Sequence, residues 1–213
     1  MKIKVCGLKE PGNVRELLSL KPDYIGFICY EKSPRFIGGL EADLLINLPA
    51  SVIKTGVFVN ENAGEISRLI DRYSFDAIQL HGAEQPDFCG LFKGKVTVIK
   101  AFGVDETVDF STLEPYRDMV DFFLFDTKTT AHGGSGRTFD WDILADYKLE
   151  VPFFLSGGLS LDNLARVKEI DHTAFYGVDL NSRFETTPGM KDIDKLKQAF
   201  SIIKSNETYE IRS

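Results

Sequence analysis

Cys6 closes a short apolar strand, Lys2-Ile3-Lys4-Val5-Cys6, at the glycine turn begun by Gly7. A thiol held there can act as a base or nucleophile once it ionises. Strand alternation puts Lys4 on the same face, one layer deeper, where an ammonium would favour the thiolate and lower its reference pKa of about 8.5. The bland alternatives are a small buried hydrophobe at Cys6 and an outward, solvated Lys4. Asp126 follows four apolar residues, Phe122 to Phe125. Such neighbours would desolvate the carboxyl and keep it protonated toward neutral pH, as a general acid requires; capping a turn is the competing role. Arg35, in the Ser33-Pro34-Arg35-Phe36 loop, offers a planar fork for a carboxylate or phosphate, against the alternative of a surface salt bridge. His81, ending Gln79-Leu80-His81-Gly82, can hydrogen-bond a substrate or satisfy a backbone carbonyl. His132 and His172 lack companions at metal-ligand spacing, so no metal is expected.

Glycines gather in two places. Gly157-Gly158 would let backbone N–H groups approach an anion closely. The run His132-Gly133-Gly134-Ser135-Gly136-Arg137-Thr138 has Ala131 where a P-loop needs its first glycine and Arg137 where it needs lysine. It reads better as a mobile lid.

The elements that would carry these groups follow from hydrophobic period. Runs rich in Val, Ile and Phe at Ile3–Cys6, Tyr24–Cys29, Val52–Val59, Ala77–Leu80, Val96–Phe102, Phe122–Phe125, Val151–Leu155 and Ala174–Leu180 predict eight strands. Amphipathic stretches at Asn13–Leu20, Ala42–Leu48, Ala63–Tyr73, Asp140–Tyr147, Leu161–Val167 and Asp192–Lys204 predict helices, with short or distorted ones at Gln85–Phe92 and Thr107–Tyr116. Repeated βα units without a linker predict a single-domain (β/α)8 TIM barrel over residues 1–213. An open doubly wound sheet is disfavoured, since no G-x-G-x-x-G follows the first strand. In the barrel the strand ends share one mouth, which collects Cys6, Arg35, Asn60, His81, Asp126, Gly157, Gly158 and the segment from Asp179 through Asn181 to Ser182.

Composition sets outer limits. With 213 residues, 43% of them hydrophobic, the chain can bury one substantial core. A net charge of −7 argues against a general nucleic-acid or membrane-surface binder, which needs a cationic face. The start carries no signal-peptide pattern and no apolar run reaches the roughly 18 residues of a membrane span, so a cytoplasmic protein is expected. Three cysteines without C-x-x-C spacing suggest neither a disulfide framework nor a zinc site. Asn206-Glu207-Thr208 matches a glycosylation acceptor but reads as a polar tail.

The ordered blocks Lys4-Val5-Cys6-Gly7, Gly26-Phe27 through Ser33-Pro34-Arg35, Gly56-Val57-Phe58-Val59-Asn60, Gln79-Leu80-His81-Gly82 and Phe125-Asp126-Thr127-Lys128 span the first part of the chain. Gly133-Gly134-Ser135-Gly136 with Phe139-Asp140-Trp141, Leu155-Ser156-Gly157-Gly158-Leu159, Val178-Asp179 and Pro188-Gly189-Met190-Lys191-Asp192 continue them. Together they resemble the phosphoribosylanthranilate isomerase family of tryptophan biosynthesis. The resemblance implies an Amadori rearrangement of a phosphorylated small-molecule substrate, without cofactor, by a monomer or homodimer. It implies Asp126 as general acid, Cys6 as general base and Arg35 as the anchor of the anthranilate carboxylate. The phosphate falls to Gly157-Gly158 and to the Asp179, Asn181 and Ser182 loop, and His81 lies among the substrate contacts. One position departs from the family pattern: Arg183 stands where a glycine is usual. An arginine there would add a charge-assisted bond to phosphate and, were φ positive, backbone strain of order 1 kcal/mol.

Two neighbouring enzyme types fit less well. An indole-glycerol-phosphate synthase would need a catalytic lysine and carboxylate set, and a ribulose-phosphate epimerase a metal site of paired histidines and aspartates. A silent phosphate-binding barrel would have no reason to keep both Cys6 and Asp126.

Overall fold

The computed structural model describes residues 1–128 and 139–205, so the proposed lid at 132–138 and the acceptor motif at 206–208 lie outside the described residues. Eight parallel strands close into a barrel in chain order: β1 Lys2–Val5, β2 Tyr24–Ile28, β3 Ile53–Phe58, β4 Ala77–Leu80, β5 Thr97–Val104, β6 Phe122–Thr127, β7 Phe153–Leu155 and β8 Phe175–Leu180. Every predicted strand is present, and closure by β1 pairing with β8 rules out the open sheet.

Helices surround the barrel unevenly. α1 (Pro11–Leu18), α2 (Ala42–Ile46), α3 (Ala63–Tyr73), α4 (Pro86–Gly90) and α5 (Ile193–Lys204) are α-helical. In α5, Leu196, Ala199, Phe200 and Ile203 form the buried face at three- and four-residue spacing, and the Asp192 side chain caps the N-terminus by accepting from the Lys195 N–H. Asn62 caps α3 in the same way through the Glu65 N–H. The stretches expected as helices after β6 and β7 are shorter 3-10 turns, Trp141–Asp146 and Arg166–Glu169, and the doubtful one after β5 is a 3-10 helix, Phe110–Tyr116. Pro115 lies inside the last of these and removes a donor that an α-helix would use. A two-strand hairpin, β9 (Glu185–Thr187) with β10 (Met190–Lys191), follows β8 and was not anticipated.

Strand alternation divides the apolar residues into two groups. Ile3, Val5, Ile25, Phe27, Ile78, Leu80, Phe123, Phe125, Val178 and Leu180 pack outward into the main core beneath the helices. Tyr24, Ile99, Ala101, Leu124 and Phe154 point inward with Ile53, Phe122 and Tyr176, and the Tyr24 and Tyr176 hydroxyls meet at 3.2 Å. This aromatic floor fills the barrel and leaves the opposite mouth for chemistry.

A β-bulge in β8 sets what reaches that mouth. Phe153 pairs with Phe175 but Phe154 pairs with Gly177, so Tyr176 is an extra residue. Tyr176 points inward, yet Val178 points outward. Without the insertion Asp179 would face the helices; with it, Asp179 turns into the barrel.

A second polar pair lies outside the barrel wall. Lys100 Nζ sits 3.2 Å from Glu84 Oε2, both side chains nearly inaccessible, and donates to the carbonyls of Leu80, Gly82 and Ala101. Glu84 in turn accepts from the backbone N–H groups of Asn60 and Gly82. The pair therefore ties the loops after β3 and β4 to β5. Lys100→Met leaves the Glu84 carboxylate buried without its counter-charge and should destabilise the protein by about 3–5 kcal/mol. Equilibrium urea denaturation measures this, and a loss under about 1 kcal/mol would show that the loops stand without the pair.

Candidate active site

The Lys4 side chain points inward and is fully buried, so the solvated alternative does not hold. Its Nζ lies 3.0 Å from Asp179 Oδ1, directly across the β1–β8 register. The contact is an ion pair rather than an aligned hydrogen bond. Burial alone would pull the Lys4 pKa down, but the Asp179 carboxylate and the adjacent Cys6 outweigh it and hold the ammonium above its ordinary value.

Cys6 follows two residues later, 3% exposed. Here the expectation of a depressed thiol pKa needs correction. Burial pushes the Cys6 thiol up from 9.0, Lys4 and Lys191 pull it down, and Asp179 pushes it up again, so the net displacement is upward. Desolvation wins because the nearest cation is already shared with a carboxylate.

Across the mouth, Asp126 lies near the end of β6 and faces His81, with Oδ2 3.4 Å from the ring Nε2. The Gln79 amide donates to His81 Nδ1 at 2.7 Å and fixes the ring, which among the described residues meets no backbone carbonyl. The Asp126 carboxyl is 31% exposed, less sequestered than its four apolar predecessors suggest. Phe123 and Phe125 point away into the outer core, leaving Asp126 on the inward face at the open rim. Gly157, at φ +84°, packs against this residue. A Cβ there would come within 2.6 Å of Asp126 Oδ1 and would also strike the Thr127 backbone, so the glycine is required by its neighbours as well as by its own conformation.

Arg35 is not in a surface salt bridge. Its Nε donates to both Glu185 carboxylate oxygens at 2.9 and 3.0 Å, and its Nη2 to Oε2 at 2.6 Å. The two side chains are 15% and 4% exposed. Glu185 also accepts from Lys191 Nζ at 2.7 Å and from the Gly189 N–H at 3.1 Å. Burial would raise the Glu185 pKa, but these cationic and backbone donors overcome it and hold the carboxyl below its ordinary value.

Lys191 joins this cluster, a contact that sequence reasoning did not single out. Fully buried, it also donates to Asn181 Oδ1 at 2.8 Å, and its backbone is held on both sides by the Asn13 amide. The Thr187-Pro188-Gly189 turn between Glu185 and Lys191 was a readable hairpin signal. Gly7, at φ +79°, supports the same cluster: a Cβ there would lie 2.6 Å from Asn181 Oδ1 and 2.7 Å from Arg35 Cδ.

Within the expected phosphate segment, Asn181 and Ser182 remain at the rim, half-buried. Asp179 lies deeper, committed to Lys4. Gly158 continues the left-handed turn of Gly157 at φ +66°, and its carbonyl accepts from Asn163. Arg183 is exposed in the 3-10 turn Ser182–Phe184 and is not among the positive-φ residues, so the anticipated strain does not arise. Among the described residues no cluster of three His, Cys, Asp or Glu side chains could hold a metal, and no helix is long and apolar enough to cross a membrane.

The comparisons converge. The sequence model described as N-(5'phosphoribosyl)anthranilate (PRA) isomerase matches residues 3–201. An N-(5'-phosphoribosyl)anthranilate isomerase of Parabacteroides distasonis is 46% identical over 200 residues, covering 92% of this chain and 90% of the relative. The solved phosphoribosyl anthranilate isomerase of Thermotoga maritima is 33% identical, with a TM-score of 0.87 over 96% of this chain and 99% of its own. A phosphoribosyl anthranilate isomerase solved in complex with reduced 1-(o-carboxyphenylamino)-1-deoxyribulose 5-phosphate is 30% identical, with a TM-score of 0.82 over 96% of this chain and 99% of that one.

The electrostatics at Cys6 are testable. Asp179→Asn removes the carboxylate that offsets Lys4, so the thiol pKa should fall and alkylation of Cys6 by iodoacetamide at pH 7 should accelerate. Stability should drop by about 3–5 kcal/mol as Lys4 loses its partner. Unchanged or slower alkylation in the folded variant would show that Asp179 does not restrain the lysine.

Proposed function

The chain belongs to the phosphoribosylanthranilate isomerase family, and we propose that it isomerises N-(5-phosphoribosyl)anthranilate to 1-(2-carboxyphenylamino)-1-deoxyribulose 5-phosphate, with Asp126 as acid and Cys6 as base. The observation that carries the residue roles is the meeting, at one barrel mouth, of a partly exposed carboxyl beside His81 and a buried thiol above a lysine.

The chemistry divides between them. Asp126 gives its proton to the ribose ring oxygen as the bond from C1′ to that oxygen breaks, while the aniline nitrogen lone pair forms the C1′ iminium. Cys6, as thiolate, takes the proton from C2′. The C2′–H electrons become the C1′–C2′ double bond, the iminium electrons return to nitrogen, and the resulting enolamine tautomerises to the ketone. The substrate's own nitrogen is the electron sink, so the sequence of steps calls for no cofactor. Arg35 receives the anthranilate carboxylate, Gly157, Gly158, Asn181 and Ser182 surround the phosphate, and His81 and Asp179 support the acid and base sides. On this reading the protein is a single-domain cytoplasmic enzyme acting as a monomer or homodimer.

Cys6→Ser and Asp126→Asn should each lower kcat by roughly a hundredfold or more while retaining affinity for the reduced product analogue. Loss of anthranilate-adduct fluorescence reports turnover directly. Wild-type turnover in either variant would remove that residue from the mechanism.

The residual activity of Asp126→Asn carries a further signature. With the acid gone only the base requirement remains, so its kcat/KM should rise with pH and reach no plateau below 9.0, the value from which burial raises the Cys6 thiol. A plateau near pH 7 would mean that the base is a different group.

A further inference from the structure

We propose that Glu185 is a positioning residue that makes Arg35 selective for the substrate's carboxylate, by occupying one edge of the guanidinium and presenting the other. The proposal rests on the role given above to Arg35. A guanidinium has donors along two edges, and a flexible arginine can offer either to an anion. Here the Nε and Nη2 edge is filled by Glu185 at 2.6 to 3.0 Å. Nη1 has no partner among the described residues, so the outer edge remains available to a planar carboxylate.

Glu185 is itself held against rotation. Oε1 receives Lys191 Nζ and the Gly189 N–H, and Lys191 is fixed through Asn181 and through the two hydrogen bonds of Asn13 to its backbone. A carboxylate with that many donors is fully ionised and has one available geometry, so its arginine partner inherits that geometry. The Arg35 stem passes over Gly7, the residue after Cys6, which puts the oriented fork beside the reacting carbons. A surface ion pair would have neither the second lysine nor the buried backbone supports.

The opposing view is that Glu185 simply neutralises Arg35. Removing its charge would then strengthen carboxylate binding through the uncompensated cations. Orientation and neutralisation therefore predict opposite signs.

The test measures Kd for the reduced product analogue and for the same compound lacking the ring carboxylate, and takes their ratio as carboxylate selectivity. In Glu185→Gln, which keeps the side-chain shape, selectivity should fall by about tenfold or more, since one charge-assisted contact is misaligned. Arg35→Met should abolish selectivity, and adding Glu185→Gln to Arg35→Met should change it no further. Arg35→Lys keeps the charge, lacks the fork and leaves Glu185 in place; it should lose selectivity nearly as far as Arg35→Met, which covers the case in which Glu185→Gln does not fold. Unchanged or increased selectivity in folded Glu185→Gln, or wild-type selectivity in Arg35→Lys, overturns the proposal. If Arg35→Met itself keeps full selectivity, the assignment of Arg35 to the carboxylate fails first, and with it the basis for Glu185.

Discussion

A lysine and an aspartate buried against each other inside the barrel are the constraint from which the rest of the site follows. Removing an ammonium and a carboxylate from water costs several kcal/mol each, and their attraction at 3.0 Å repays this only in part. Such a pair contributes little net stability compared with apolar residues of the same volume. What it provides is a cation fixed beneath Cys6 on the inward face of β1. The β8 bulge at Tyr176 is then a requirement, because an unbulged strand would turn Asp179 outward and leave Lys4 without a counter-charge.

The same pair limits how acidic the thiol becomes. Lys4 stabilises the thiolate, Asp179 takes back much of that field, and burial decides the balance upward. A raised thiol pKa reduces the thiolate population tenfold per unit, but each thiolate is then a stronger base, and the gain in proton-transfer rate recovers part of the loss. Asp126 has the opposite setting, at a rim open to water; in the proposed role of acid, it could regain its proton from that water after each turnover.

Strand periodicity carried the fold because every barrel strand buries its outward face, giving apolar runs that survive even where β7 is only three residues long. Helices were less legible. The segments after β5, β6 and β7 have the apolar spacing of helices, yet they form 3-10 helices, the first of them interrupted by Pro115. Cys6, Asp126, Arg35 and His81 could be grouped from sequence because strand ends in a barrel share one mouth. The buried charged partners of these residues could not. A one-residue bulge leaves no mark in hydrophobic period, so Asp179 read as a rim residue rather than the partner of Lys4. Glu185 and Lys191 are six residues apart in sequence, and the hairpin folds Lys191 back onto the carboxylate that holds Arg35.

These two charged assemblies meet at Gly7. On one side it continues directly from Cys6; on the other it packs against Arg35 and Asn181 so closely that a single added carbon would overlap both. Cys6 and Arg35 are therefore linked through one glycine, since the chain runs from Cys6 directly into Gly7 and the Arg35 stem packs against it. On the proposed roles, a substrate held by Arg35 through its ring carboxylate would have its anilino nitrogen, and hence C1′ and C2′, beside the Cys6 thiol. Effective molarity depends on that kind of fixed spacing, since an ångström of slack between base and carbon costs more rate than a modest change in thiol pKa. On the proposed roles, the left-handed glycine following Cys6 belongs to the reaction geometry, and the hairpin that holds Glu185 against Arg35 completes it from the other side.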